Sequence, residues 1–344
     1  MDIRQIAKRA KVSTATVSRT VNNLPTVHPR LAKRVWKAVE ELGYFPNTQA
    51  RALVSGRSRI FGLIISEITN PFFPEIIHVF ESIALQHGYE ILITSTVHDL
   101  KRMQAAVRRM LERRVDGVAV LTFGMEDSVL NDLKLRNVPL VFVDVGPPRS
   151  HVSNIKIDYL NGIREAVHHL AELKHRHIGF ISGPLHLRSA LARRDAFVAS
   201  MQEAGLQDES EYIIEGNHTI AGGMGTSALL LTLDLPPTAV VCSNDLTAIG
   251  VMRKSHELGV SIPRDLSLVG FDNIRFAEFT FPPLTTVEMS QAELAKLAFH
   301  ALFNEAQQPS TKRNGSEYLL TTSLVIRGST AAPRERALAA KLGL

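Results

Sequence analysis

The sequence predicts a small all-α head followed by an α/β body of two lobes with parallel sheets. Three observations carry this. Residues 1–59 hold twelve Lys plus Arg against three Asp plus Glu, a local charge of +9, whereas the other 285 residues carry 27 basic and 31 acidic groups, a local −4. Within the basic segment, short stretches of helical periodicity are separated by cap and turn residues. From residue 60 onward apolar runs alternate with amphipathic stretches, which is βαβ repetition and hence parallel sheets covered by helices. A length of 344 residues, 45% of them hydrophobic, gives room for two or three compact units.

In the head, Asp2 can cap a first helix whose third position is Gln5, with Ile3, Ile6, Ala7 and Ala10 on one face. Lys11-Val12-Ser13 interrupts the pattern, and Ser13 is a cap for a second helix, TATVSRTVN, made apolar on one side by Ala15, Val17 and Val21. Two short helices joined by a tight turn have helix-turn-helix spacing. A third helix, about Pro29 to Leu42, offers Leu31, Val35, Trp36, Val39 and Leu42 to a shared core, and Gly43 ends it. A basic head on a mildly acidic body points to a polyanion, with nucleic acid ahead of membrane because no basic amphipathic stripe carries exposed aromatics. If the second helix lies in a major groove, Thr14 and Ala15 face base edges and Arg19, one turn on, can bond a guanine. Ser13, Thr16, Ser18 and Asn22 are then placed for phosphates. Periodicity alone fits a generic three-helix packing module equally well. Local sequence makes 46–59 a linker, since Gly56-Arg57-Ser58 ends any helix and an exposed ten-residue helix is marginal.

In the body, the runs IFGLIIS, YEILITS, DGVAVLT, PLVFVD, HIGFISG, EYIIEG, TAVVCSN and LSLVGFD read as eight strands, divided between two lobes by a break near NIKIDYLNG. Open α/β sheets bind ligands beyond the carboxyl ends of their strands. Ser66, Ser95, Asp144, Asn244, Asp245 and Asp272 stand at those ends, a set suited to a polar ligand. Taken singly, strand-end Asp, Asn and Ser commonly cap the next helix, and Asn70 and Asp245 are read mainly as caps.

The motifs IRQIAKRAKVSTATVSRTVNN, VEELGYFPNTQARAL, GLIISEITNPFF, AVVCSNDLTAIGV and LSLVGFDN, in this order across nearly the whole chain, resemble the lactose/galactose repressor (LacI/GalR) family of transcription regulators. The resemblance implies a helix-turn-helix DNA-binding domain at 1–45, a hinge at 46–59, and a body like a periplasmic sugar-binding protein with three crossovers. On that pattern 60–158 plus about 288–315 form the N-terminal lobe, 159–287 plus about 316–330 the C-terminal lobe, and 331–344 a tail. The hinge would become helical on operator DNA and enter the minor groove, Leu53 wedging between base pairs while Asn47, Gln49, Ala50 and Arg51 line the groove or its phosphates. Disorder off DNA and helix on it would reconcile this with the linker reading. In the body the resemblance assigns Asp272, Arg193 and Asn244 to the ligand, with Phe72 and Phe73 covering it. An aromatic face opposite a carboxylate suits a sugar ring. Ser66, Asp144 and His218 complete the expected effector site. Leu187 stands where purine-binding members carry an arginine and His218 where relatives carry an aromatic, so a sugar or sugar derivative is favoured and a nucleobase, or a corepressor role, is the alternative.

The function expected is a sequence-specific regulator, a repressor whose operator affinity a small molecule modulates, working as a homodimer because each head reads half a site. The tail AAPRERALAAKLGL is too short for a coiled coil and predicts no further assembly. The body alone would suit a binding protein for transport or chemoreception, and an α/β fold by itself admits an enzyme. No nucleophile motif appears, and AGGMGTS lacks the Lys of a phosphate loop, so neither catalytic residue nor cofactor is expected. His168, His169, His175 and His177 resemble a metal cluster, yet Lys174-His175-Arg176 is read as complementing a helix C-terminus, and no metal is expected. MDIRQIAKRAKVS lacks a secretory signal's apolar core, and no long apolar span occurs, which predicts a cytoplasmic protein off the membrane. The single cysteine, Cys242, is read as a buried structural thiol.

Overall fold

The computed structural model describes residues 2–21, 26–44, 57–97, 99–122, 133, 136–206 and 210–333. The chain divides into two units, Met1–Arg59 and Ile60–Leu344. Asn22 and the hinge positions Asn47, Gln49, Ala50, Arg51 and Leu53 lie outside the described residues.

The head is three helices, α1 (Ile3–Ala10), α2 (Thr14–Val21) and α3 (Pro29–Glu41). The Asp2 carboxylate accepts from the backbone N–H groups of Arg4 and Gln5, and the Gln5 side chain reaches back to the Asp2 N–H, a complete capping box. Ser13 Oγ accepts from Thr16 N at 3.1 Å and starts α2. Pro29 opens α3, and Gly43, in the left-handed region at φ 56°, ends it. Ile6, Ala7, Ala10, Val17, Val21, Val35 and Ala38 form the buried core. Trp36 does not join it as expected: it is 42% exposed, because Val35 and Ala38 take the inward face of α3. Arg34 ties α3 to the α1–α2 turn, donating to the carbonyls of Ala10 and Lys11 at 2.6 and 3.1 Å.

In the body, the eight apolar runs all form strands, and four more join them. One sheet has the order β11-β5-β4-β3-β1-β2, from β1 (Ile60–Ile65), β2 (Glu90–Ser95), β3 (Gly117–Leu121), β4 (Leu140–Val143), β5 (Val152–Asp158) and β11 (Glu317–Thr321). The other has the order β12-β10-β9-β8-β6-β7, from β6 (Ile178–Ser182), β7 (Ile213–Glu215), β8 (Ala239–Cys242), β9 (Ser267–Asp272), β10 (Thr285–Glu288) and β12 (Ser323–Val325). Neighbours run parallel except β10 and β12, which pair antiparallel with Thr286 opposite Val325. Both faces of the sheets are covered, so β3, β4, β6 and β8 are buried at every residue and read as continuous apolar runs.

The chain passes between lobes three times. β5 leads into α6 (Tyr159–Glu172), which packs on the second sheet; β10 is followed by α10 (Gln291–Gln307), which packs on the first; β11 runs through Thr322 straight into β12. The segment expected in the second lobe from about 316 therefore joins it only from Ser323, because Glu317–Thr321 pairs in register with Asn154–Asp158 of β5. Thr322 clamps the crossings together: its hydroxyl donates to Asp158 O at 2.6 Å and accepts from Gly162 N at 3.0 Å, and its carbonyl accepts from Asn161.

Gly223 of AGGMGTS belongs to a helix contact. In α8 (Ile220–Leu231) a Cβ on Gly223 would fall 2.2 Å from the Thr247 carbonyl, and in α9 (Asp245–Glu257) one on Gly250 would fall 2.2 Å from the Ile220 carbonyl, so the backbones touch where neither helix has a side chain.

Candidate functional site

On α2, Val17, Thr20 and Val21 are buried while Thr14, at the helix start, and Ala15 and Arg19, away from the core, are exposed. Ser13 is exposed, Thr16 and Ser18 half-buried, and the hydroxyls of Ser13 and Thr16 lie 2.9 Å apart as part of the cap. Exposed hydroxyls and one arginine on a short, otherwise unobstructed helix can meet a nucleic-acid groove by donating to phosphates and base edges.

In the body, a cavity of about 150 Å³ opens between the two lobes. The first lobe supplies Ser66, Glu67, Asn70, Phe72 and Phe73; the second supplies Leu187, Ser189, Arg193, Asn217, His218, Thr219, Asn244 and Asp272. Every wall lies at the carboxyl end of a strand or the first turns of the following helix. Phe72 and Phe73 open α4 (Phe72–Gln86) and meet edge to face with centroids 5.3 Å apart. Asn70, one residue before the N-cap Pro71, accepts from Phe72 N at 3.0 Å and also lines the cavity.

Arg193, on α7 (Arg188–Glu203), is 4% exposed. Nη1 donates to the Ser243 carbonyl at 2.6 Å, Nη2 lies 3.6 Å from Asp272 Oδ1, and the guanidinium sits 4.2 Å from the Phe271 ring and 5.2 Å from that of Tyr159. Two aromatic faces and a carboxylate replace the water this buried cation gives up. Burial pushes Asp272 up from its ordinary 3.8 to about 7, and the Arg193 charge opposes the rise. Asp272 stands in the left-handed region at φ 104° and His218 at φ 61°, strained conformations the surrounding packing holds in place. The His218 ring lies over Gly183, where a Cβ would come 1.9 Å from Nε2, and its carbonyl accepts from Asn244 Nδ2 at 3.1 Å.

Of the effector residues expected from sequence, Ser66, Phe72, Phe73, Arg193, His218, Asn244 and Asp272 line the cavity and Asp144 does not. Its carboxylate accepts from Ile157 N at 2.9 Å and from Tyr159 OH at 2.8 Å, behind the ring on which Arg193 rests. Burial raises its pKa, partly offset by those two bonds. The cap of α9 is Asn244, whose Oδ1 accepts from Thr247 N; Asp245, expected as a cap, is buried beneath the site, taking Ile274 N and the Thr286 hydroxyl. Sequence reasoning missed Glu67, Ser189, Asn217 and Thr219. Ser189 precedes Arg193 by one turn, and Asn217 and Thr219 flank His218, so spacing about the recognised residues was the available signal.

Among the described residues no group of three or more His, Cys, Asp or Glu is arranged to hold a metal. His175 follows the C-terminus of α6, its N–H donating to the Leu170 carbonyl at 3.0 Å, and its buried ring is bonded to Thr238, Ser267 and the Ala331 carbonyl, while His169 meets Thr330. Cys242 is buried, and burial pushes its thiol pKa well up. Among the described residues no helix is long and apolar enough to cross a membrane.

A helix-turn-helix head attached to a two-lobed α/β body with a polar interlobe cavity is the build of a DNA-binding transcription regulator. Residues 2–47 match the model of the bacterial regulatory proteins of the lacI family, and residues 167–330 match a periplasmic binding protein-like domain. The chain is 36% identical over 306 residues to the transcriptional repressor PurR of Glaesserella parasuis serovar 5 (strain SH0165), covering 89% of this chain and 90% of that one. It is 33% identical over 330 residues to the repressor CytR of Escherichia coli (strain K12), covering 96% of each. Among solved structures, the lac repressor dimer bound to operator and the anti-inducer ONPF superposes with a TM-score of 0.84 at 28% identity, over 96% of this chain and 99% of that one. The chain belongs to the LacI family: it is a DNA-binding transcriptional repressor and not an enzyme.

Proposed function

We propose that this repressor acts in the cytoplasm as a homodimer on a near-palindromic operator, with an affinity set by a small molecule, a sugar or sugar derivative, held between the lobes. The observation that carries the reading is the interlobe cavity, where the Arg193–Asp272 pair from one lobe faces Phe72 and Phe73 from the other. An aromatic wall and hydroxyl-seeking carboxylates suit a ring apolar on its faces and polar at its edge. Ser66, His218 and Asn244 complete that contact set, and Asp144 supports it through Tyr159. A ligand gripping both lobes favours one lobe arrangement, and only that differential affinity can change DNA binding.

On the DNA side, Thr14, Ala15 and Arg19 read bases, Ser13, Thr16, Ser18 and Asn22 hold phosphates, and Asn47, Gln49, Ala50, Arg51 and Leu53 enter the minor groove. Two heads are needed for two half-sites. Phe276, Phe279 and Phe281, 58%, 72% and 99% exposed, supply an apolar face for the second copy. The test is footprinting on the DNA upstream of the chain's own gene, with and without a panel of sugars, sugar acids, phosphosugars and nucleobases. Arg19→Ala is expected to cost on the order of 1–3 kcal/mol of specific binding, and Leu53→Ala to weaken it as well. Absence of any preferred site for the wild type sinks the reading.

A further inference from the structure

The charged groups around the interlobe cavity say which ligands it refuses. Among the described residues its walls carry one arginine, Arg193, no lysine, and two acids, Glu67 and Asp272, beside His218. A ligand phosphate or carboxylate calls for a guanidinium fork or an ammonium with donors to spare. Arg193 has little to give, since Nη1 is held by the Ser243 carbonyl, Nη2 faces Asp272, and two rings flank its planar faces. Only its Nε is without a partner. The neighbouring cationic side chain of Arg188 is exposed and is not part of the wall.

Helix ends can also hold anions, but at three of those at this cavity a side chain already accepts from one N–H. Asn70 accepts from Phe72 N, Thr219 from Gly222 N and Asn244 from Thr247 N. At α7 the N-cap position, Leu187, offers no side-chain acceptor. That end and Arg193 Nε offer donors to a ligand oxygen, while Asp272 and Glu67 beside them disfavour a negative charge and accept hydroxyl protons, and the buried Ser66 Oγ, without a partner, can do either. Among the described residues of the wall, acids outnumber the arginine, and donors and acceptors are mixed.

From this arrangement we infer that the effector is an electrically neutral polyhydroxy compound, a free sugar, glycoside or nucleoside, and that the cleft rejects the phosphate ester or acid of the same compound. The inference rests on the reading of this cavity as the effector site. It is tested by calorimetry on the full-length protein with matched pairs: ribose and ribose 5-phosphate, glucose and glucose 6-phosphate, glucose and glucuronate, adenosine and adenosine monophosphate. The expected result is a neutral member that binds, a charged partner at least tenfold weaker, loss of the neutral ligand in Asp272→Asn, and a narrower gap between the two in Glu67→Gln. A charged member binding as tightly as its neutral partner, with that binding lost in Asp272→Asn, overturns the inference and leaves the effector site standing. Binding unchanged by Asp272→Asn, or no binding by any compound of the panel, overturns the effector site and the inference together.

Discussion

At Asp272 burial favours the neutral acid, the Arg193 guanidinium favours the carboxylate, and a backbone at φ 104° holds the side chain toward the cavity wall. Burial wins, and the pKa rises to about 7. Folding therefore favours the protonated form, an advantage complete below 3.8 and lost as the pH climbs through 7. Asn cannot titrate, so the melting temperature of the wild type minus that of Asp272→Asn is expected to fall between pH 4 and pH 8, on the order of 5 °C. A difference that stays flat across that range contradicts this account. Asp272 and Arg193 were legible in the sequence because a strand-end acid and the family motif mark them. Asp144 carries the same strand-end signal and is spent elsewhere, since nothing local reveals that Tyr159 returns to take its carboxylate.

At the scale of elements, caps are local chemistry, so Asp2 and Ser13 announced their helices from sequence alone. Strand β5 did not announce itself. Its residues Ser153, Asn154 and Lys156 break the apolar run, yet Ser153 and Asn154 are buried, the first accepting from Ser316 N far along the chain and the second from Val145 N after the neighbouring strand. The start of α6 shows the same dependence. A Cβ on Gly162 would fall 2.4 Å from Val287 Cγ1 and 2.7 Å from Thr322 Oγ1, and these residues come from the two later crossings. Gly162→Ala must push all three crossings apart, and its cost is expected to be about 1–3 kcal/mol in urea unfolding. A variant as stable as the wild type would show that the clamp gives way freely.

For the molecule as a whole, the exposed rings of Phe276, Phe279 and Phe281 are the face on which the proposed homodimer rests. Replacing Phe279 and Phe281 with Asp is expected to give a monomer in sedimentation, with effector binding retained and operator affinity lower by on the order of a hundredfold, because two linked half-sites no longer act together. A double variant that remains dimeric places the subunit interface elsewhere. The sequence by itself determined the helix-turn-helix, the βαβ order, the position of the cleft at strand ends and the family, because periodicity, caps and motifs are written within a few residues of one another. Tertiary structure alone decided that β11 belongs to the first lobe, that Thr322 locks the crossings, that Asn244 caps where Asp245 is buried, and that Arg193 is held between the Ser243 carbonyl and the rings of Phe271 and Tyr159. Each of those depends on groups far apart in the chain meeting at a few ångströms, where register and burial, not local pattern, choose the partner.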